Sequence, residues 1–290
     1  MRPAATSQRT ERNGHLWYHR ITVVPAVGGA GAATLTIALA LAGAPNFRAV
    51  DAYRAQDGRQ LRPQSLFRSG ECSALTEADY SQLDALDIRL ICDLRSEDER
   101  RRFPTRWHAP VRILTLPAAS DHGAGMASLL ERLLAQPGPV GARQTMIDLY
   151  AALPQLLLPI LREQIALMLS GTGLPTMVHC HVGKDRTGVA VAILLQAVGI
   201  PLDQIRDDYQ QTNQRLDIDQ IYAALGRAVA RALGTPVDRA TLETLGRADP
   251  DYLHASLAAI EQGYGGFDGY WRALGFAPAQ RTALADLMLV

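Results

Sequence analysis

The sequence predicts an α/β fold in which a central, mostly parallel sheet is flanked by helices and followed by a helical C-terminal tail. Three observations carry this expectation. Ile88–Arg95, Val111–Leu116 and Met177–His179 are short apolar runs that read as buried strands. Helical patterns separate them, and alternation of the two predicts helices layered on a parallel sheet. From Pro201 to the C-terminus the pattern is helical throughout.

The elements follow in order. Residues 1–20 are a polar N-terminal extension, and one domain is expected over 21–290. Ile21–Val27 and Ala33–Ala42, joined by a Gly-rich turn, read as a hairpin, because Leu35, Ile37, Leu39 and Leu41 alternate. A signal peptide within residues 1–44 is the competing reading, weakened by Pro25 and the Gly28-Gly29-Ala30-Gly31 break. The three scattered cysteines make a reducing compartment, and so a cytoplasmic protein, the simpler reading, while a signal peptide would make it secreted or periplasmic. The same break argues against a membrane span. Gln64–Ser69 is a short extended piece, Cys72–Leu86 a helix entered at Thr76-Glu77, and Ser96–Arg102 a charged first turn or loop. Met126–Leu134 is a short amphipathic helix, and Gln144–Leu169 a helical region broken near Pro154 and Pro159. Thr187–Ala197 is the helix that leaves the last strand, and cap or turn signals stand at Asp203, Thr235, Pro250 and Ala277.

Charge narrows the function classes. Lys+Arg and Asp+Glu number 29 each, so there is no basic excess for a nucleic-acid backbone. Cys72, Cys92 and Cys180 are far apart, with neither zinc spacing nor a disulfide framework. No metal and no cofactor are expected: His179-Cys180-His181 resembles a metal triplet, but alternate strand residues point to opposite faces.

The informative segment is Thr176–Gly188. A strand delivers Cys180, Arg186 follows after five residues, and a helix begins at once. This order puts a thiol at the bottom of a loop whose backbone N–H groups point inward at a helix mouth, a nest for a tetrahedral dianion. Such surroundings favour a thiolate over a thiol. Cys180 is therefore the expected nucleophile on phosphorus, with a thiophosphate intermediate that water hydrolyses. Arg186 can bind two phosphoryl oxygens with its planar fork. The remaining phosphate contacts are expected from His181, Val182, Gly183, Lys184, Asp185 and Thr187: backbone amides, a rim cation at Lys184, a further charge on His181 when protonated, and a Thr187 hydroxyl on the Cys180 sulfur. Asp93, at the carboxyl end of its strand, is the first candidate for general acid, with an ordinary loop-ordering Asp as the equal alternative. Asp185 is the second, ranked lower because Lys184 and Arg186 flank it. Cys92, or failing that Cys72, is the candidate resolving thiol for an oxidised Cys180.

His179-Cys180-x-x-Gly183-Lys184-Asp185-Arg186-Thr187-Gly188 resembles the active-site loop of the bacterial and fungal tyrosine-phosphatase-like family. Asn46-Phe47-Arg48, Leu66–Glu71, Asp93–Ser96, Asp208-Tyr209 through Asn213 and Tyr264–Tyr270 match the family's other blocks in order, so the resemblance runs from about residue 42 onward. It implies a phosphatase-like α/β fold, a metal-free cysteine mechanism, and activity on phosphotyrosine, in some members also on phosphoserine, phosphothreonine or phosphoinositides. Phosphorylated proteins or phosphoinositides are thus the implied partners. It also implies a helical insertion within residues 123–170 as a cover over the site. Val182 departs from the family's small residue and would narrow the pocket.

Overall fold

The computed structural model describes residues 41–107, 110–117 and 126–290. The hairpin or leader sequence, the polar extension and the first part of the insertion fall largely outside them.

Five strands form one sheet: β1 (Arg48–Ala49), β2 (Leu66–Ser69), β3 (Leu90–Asp93), β4 (Arg112–Thr115) and β5 (Thr176–His179). Their spatial order is β1-β2-β5-β3-β4. Only β1 is antiparallel to its neighbour; the other pairings are parallel. The sheet is therefore mostly parallel, as expected, and β5 lies at its centre between β2 and β3. The two-residue periodicity of strands divides the core. Leu66, Leu90, Cys92 and Val178 pack on one face, with the larger helices, while Phe67, Ile91 and Met177 pack on the other with Phe47 and Leu83.

Early helices are α1 (Glu77–Asp84), α2 (Glu97–Arg102), α3 (Met126–Ala135), α4 (Gly138–Leu169) and α5 (Asp185–Ala197). The tail contains α6 (Leu202–Gln210), α7 (Thr212–Arg215), α8 (Ile218–Leu233), α9 (Arg239–Gly246), α10 (Pro250–Tyr264), α11 (Phe267–Ala273) and α12 (Pro278–Met288). Reciprocal side-chain caps fix two of the starts: Thr76 with Asp79 opens α1, and Ser96 with Glu99 opens α2. Ser96–Arg102 is thus a capped helix. Pro250 is the first residue of α10 and Ala277 the N-cap of α12, where the sequence placed boundaries, whereas Asp203 lies inside the first turn of α6.

The expected break in the long helix does not occur. Helix α4 runs for 32 residues through both prolines and starts six residues earlier than Gln144. Pro154 has no N–H for the Tyr150 carbonyl four residues back. The Ser256 hydroxyl of α10 donates to that carbonyl at 2.6 Å, so a tertiary contact supplies the missing bond. Leu153, Leu157, Leu161 and Ile165 of α4 are fully buried in the main core.

Candidate active site

Cys180 follows β5 directly, and α5 begins at Asp185, so residues 180–184 form the turn between the central strand and its helix. The Gly183 N–H donates to Cys180 Sγ at 3.3 Å. Gly183 has φ +76, and a Cβ there would lie 2.5 Å from the Ser69 carbonyl oxygen, so both conformation and space require glycine.

Residues distant in sequence brace the loop from behind. The Gly183 carbonyl accepts from Asn46 Nδ2 at 2.9 Å and from Arg68 Nη2 at 2.8 Å. Arg68 Nη1 is bonded to Asp208, whose other carboxylate oxygen takes Arg48 Nε at 3.2 Å. All three charged side chains are buried. Burial alone would raise the Asp208 carboxyl, and the two guanidiniums overcome it and hold it below the usual range. With its carbonyl held by these two donors, the Gly183 peptide is fixed with its N–H on Cys180 Sγ. These are the blocks that carried the family resemblance, and the sequence had given them no individual task.

Glu99 orients the arginine. Its carboxylate accepts from Arg186 Nη1 at 2.6 Å and Nη2 at 2.8 Å, and the Leu94 carbonyl accepts from Nη1 at 3.0 Å. Burial opposes ionisation of Glu99, but the bonds and charge of Arg186 hold its carboxyl at about 2. Sequence reasoning missed this residue. Ser96-x-x-Glu99 was a readable helix start, and Glu99 Oε2 does take the Ser96 N–H at 2.8 Å.

The other expected site residues scatter in their placement. Asp93 does not line the cavity above Cys180. Arg95 donates to its Oδ1 from Nε at 2.8 Å and from the backbone at 3.0 Å, and to its Oδ2 from Nη2 at 2.7 Å. Burial works against ionisation of Asp93, and His179 and Arg95 oppose it, for a net shift below the usual range. Arg95 is the decisive partner near neutral pH, because burial lowers the pKa of His179 and leaves that ring uncharged. A carboxylate fixed in this way orders the loop after β3, the alternative reading of Asp93, and is poorly placed to give a proton. Lys184 is not a rim cation either. It is buried, with Nζ donating to the carbonyls of Leu245 at 2.5 Å and Arg247 at 3.3 Å at the end of α9. His181 lies against Phe103, ring centroids 5.1 Å apart, and burial pushes its pKa down, so it is a neutral wall. The Thr187 hydroxyl makes no hydrogen bond to Cys180 among the described residues.

Asp185 does line the cavity. The Tyr150 hydroxyl of α4 donates to its Oδ1 at 2.7 Å, Tyr209 bonds to Tyr150 at 2.7 Å, and Lys184 Nζ stands 3.3 Å from the same Oδ1. The cavity measures about 320 Å³ and is bounded by the Cys180 loop, Val182 included, by α4 and by α8. Helix α4, within the stretch expected to cover the site, lines the cavity, and so does α8, which was not expected to take part. All three cysteines are free, and burial raises the Cys72 thiol to about 12 and holds that of Cys92 well above its ordinary value. Among the described residues no cluster of three or more His, Cys, Asp or Glu could hold a metal ion.

Known proteins place this arrangement. Residues 39–290 match the tyrosine phosphatase family. The chain is 30% identical to the triple specificity protein phosphatase PtpB of Mycobacterium tuberculosis, over 86% of this chain and 98% of that one. It is 32% identical to a putative tyrosine-protein phosphatase of Cupriavidus necator, over 90% and 92% of the two chains. A solved structure of P. aeruginosa TpbA aligns at a TM-score of 0.29 and 20% identity, over 64% of this chain and 89% of that one, too distantly to inform the site. With a strand-loop-helix nest around Cys180 and a match over nearly all of the described residues, the chain belongs to the tyrosine phosphatase family.

Proposed function

We propose that the protein hydrolyses phosphotyrosine, with dual specificity toward phosphoserine and phosphothreonine, through a phosphocysteine intermediate. The observation that carries this reading is the Cys180 sulfur in the strand-to-helix turn, taking the Gly183 N–H, five residues before an arginine that Glu99 already holds in place.

In the first step Cys180 Sγ attacks phosphorus in line, the P–O bond to the phenol breaks, and its electron pair leaves on the phenolic oxygen. Inward N–H groups and Arg186 hold the three equatorial oxygens, whose charge grows in the transition state. Asp185 gives the leaving oxygen its proton. Tyr150 and Lys184 both engage Oδ1, so Oδ2 is the oxygen that meets the leaving group. In the second step Asp185 takes a proton from water, the oxygen of that water attacks phosphorus, and the P–S bond returns its pair to sulfur.

Rapid quenching of the enzyme with a phosphotyrosine peptide tests this. Intact-mass analysis should find a phosphate adduct on Cys180 that accumulates in Asp185→Asn, where the second step lacks its base, and is absent from Cys180→Ser. Undiminished turnover by Cys180→Ser would sink the proposal.

A further inference from the structure

Two phenols stand behind the carboxyl of Asp185. Tyr150 of α4 and Tyr209 of α6 are fully buried, and neither lines the cavity above Cys180. Their hydroxyls are 2.7 Å apart, and the Tyr150 hydroxyl stands 2.7 Å from Asp185 Oδ1. The direction of the two bonds follows from the protons on hand. A phenol has one O–H to donate, and a carboxylate only accepts. The Tyr150 proton therefore lies on the bond to Asp185, and Tyr209 must donate to Tyr150. Burial, and after it the charge of Asp185, push both phenols well above their ordinary value, so the chain keeps its protons at neutral pH.

The rings are fixed as well as the hydroxyls. Tyr150 packs edge-on to Tyr209, centroids 6.2 Å apart, and against Tyr252 of α10 at 5.6 Å. A Cβ on Gly188 would lie 2.8 Å from Tyr209 Cδ2, so the first turn of α5 leaves room for that ring by lacking a side chain. Asp208, the residue before Tyr209, holds Arg68 and through it the Gly183 carbonyl. Helix α6 thus reaches the phosphate loop through one residue and the Asp185 carboxyl through the next.

Tyr150 and Lys184 Nζ, the latter at 3.3 Å, both meet Oδ1. An oxygen held in this way accepts whether or not Oδ2 carries a proton, so the carboxyl plane is the same for acid and for base. Resting on the role given to Asp185 above, we infer that Tyr150 and Tyr209 are positioning residues for proton transfer: Tyr209 orients Tyr150, and Tyr150 aims Oδ2 of Asp185 at the leaving group.

The readout is the ratio of kcat/KM for phenyl phosphate to kcat/KM for 4-nitrophenyl phosphate, measured on the full chain. Phenolate needs the proton far more than 4-nitrophenolate does, and the ratio is independent of how much of a preparation is folded. Tyr150→Phe, which removes one oxygen, should lower the ratio about tenfold, and Tyr209→Phe about threefold. Lost packing alone would slow both substrates alike and leave the ratio where it was. Adding Tyr209→Phe to Tyr150→Phe should change the ratio no further, because Tyr209 acts only through Tyr150. Tyr150→Phe should also leave the ratio of Asp185→Asn as it is. If Asp185→Asn lowers the ratio but Tyr150→Phe does not, or if the two tyrosine effects multiply, the inference is overturned and the phosphatase reading stands. If Asp185→Asn keeps the wild-type ratio, the acid assignment itself fails and this inference with it.

Discussion

Gly183 and Asp185 carry different risks at the scale of single residues. Gly183→Ala meets both a left-handed backbone and the Ser69 carbonyl, so the turn must shift. A cost of about 1–3 kcal/mol is expected in urea denaturation, with kcat reduced at least tenfold. Asp185→Asn should lower kcat/KM, which reports the first step, by about 10²- to 10⁴-fold for phenyl phosphate and much less for 4-nitrophenyl phosphate, whose leaving group needs little protonation. Asp93→Ala should behave otherwise. It leaves the buried Arg95 without its carboxylate, and breaking such a pair costs about 3–5 kcal/mol. Its thermal stability should fall while its leaving-group dependence stays that of wild type; a steeper dependence would return Asp93 to the role of acid. The loop itself was legible because Cys180, Gly183 and Arg186 are neighbours in the chain. The partners of Arg186 and Asp185 were not: Glu99 is 87 residues away and Tyr150 35, and no local pattern encodes a contact made by folding.

At the scale of elements, α4 shows tertiary structure overriding a local rule. Two interior prolines predict a break, and the sequence alone contains no sign that the Ser256 hydroxyl of α10 will satisfy the orphaned Tyr150 carbonyl. Ser256→Ala should therefore destabilise the protein by about 1–3 kcal/mol, the cost of leaving a buried acceptor unsatisfied. In a Pro154→Ala background, which restores the helical N–H, the same change should cost clearly less. Additive effects in this double-mutant cycle, read by urea denaturation, would refute the account. By contrast, Thr76 and Ser96 made their helices readable, because a cap and its partner are only three residues apart.

For the whole molecule, buried charges set the response to pH. Asp93, Glu99 and Asp208 have carboxyls held below their usual range, so they favour the folded state above an unfolded pKa near 4 and lose that contribution as pH falls, for Glu99 down to about 2. His179 and His181 have lowered values as well, so the fold favours their neutral rings and loses stability below an unfolded pKa near 6.5. Thermal midpoints should be level above about pH 7, decline below about 6.5, and fall more steeply below about 4.5; a midpoint that rises on acidification from pH 7 to pH 4 would contradict these assignments. The mostly parallel sheet was legible as a class from alternating runs, and β5 does lie at its centre, whereas the full order β1-β2-β5-β3-β4 depends on pairings the runs do not specify. That central position also has a consequence in time. The nest is finished only when Asn46 and Arg68 hold the Gly183 carbonyl, Asp208 holds Arg68, and the Leu245 carbonyl takes the Lys184 amine. A ribosome makes these parts in order, and the last emerges well after the thiol. A nascent chain already carrying Cys180 is thus without its finished loop until the residues through Leu245 have been synthesised and docked.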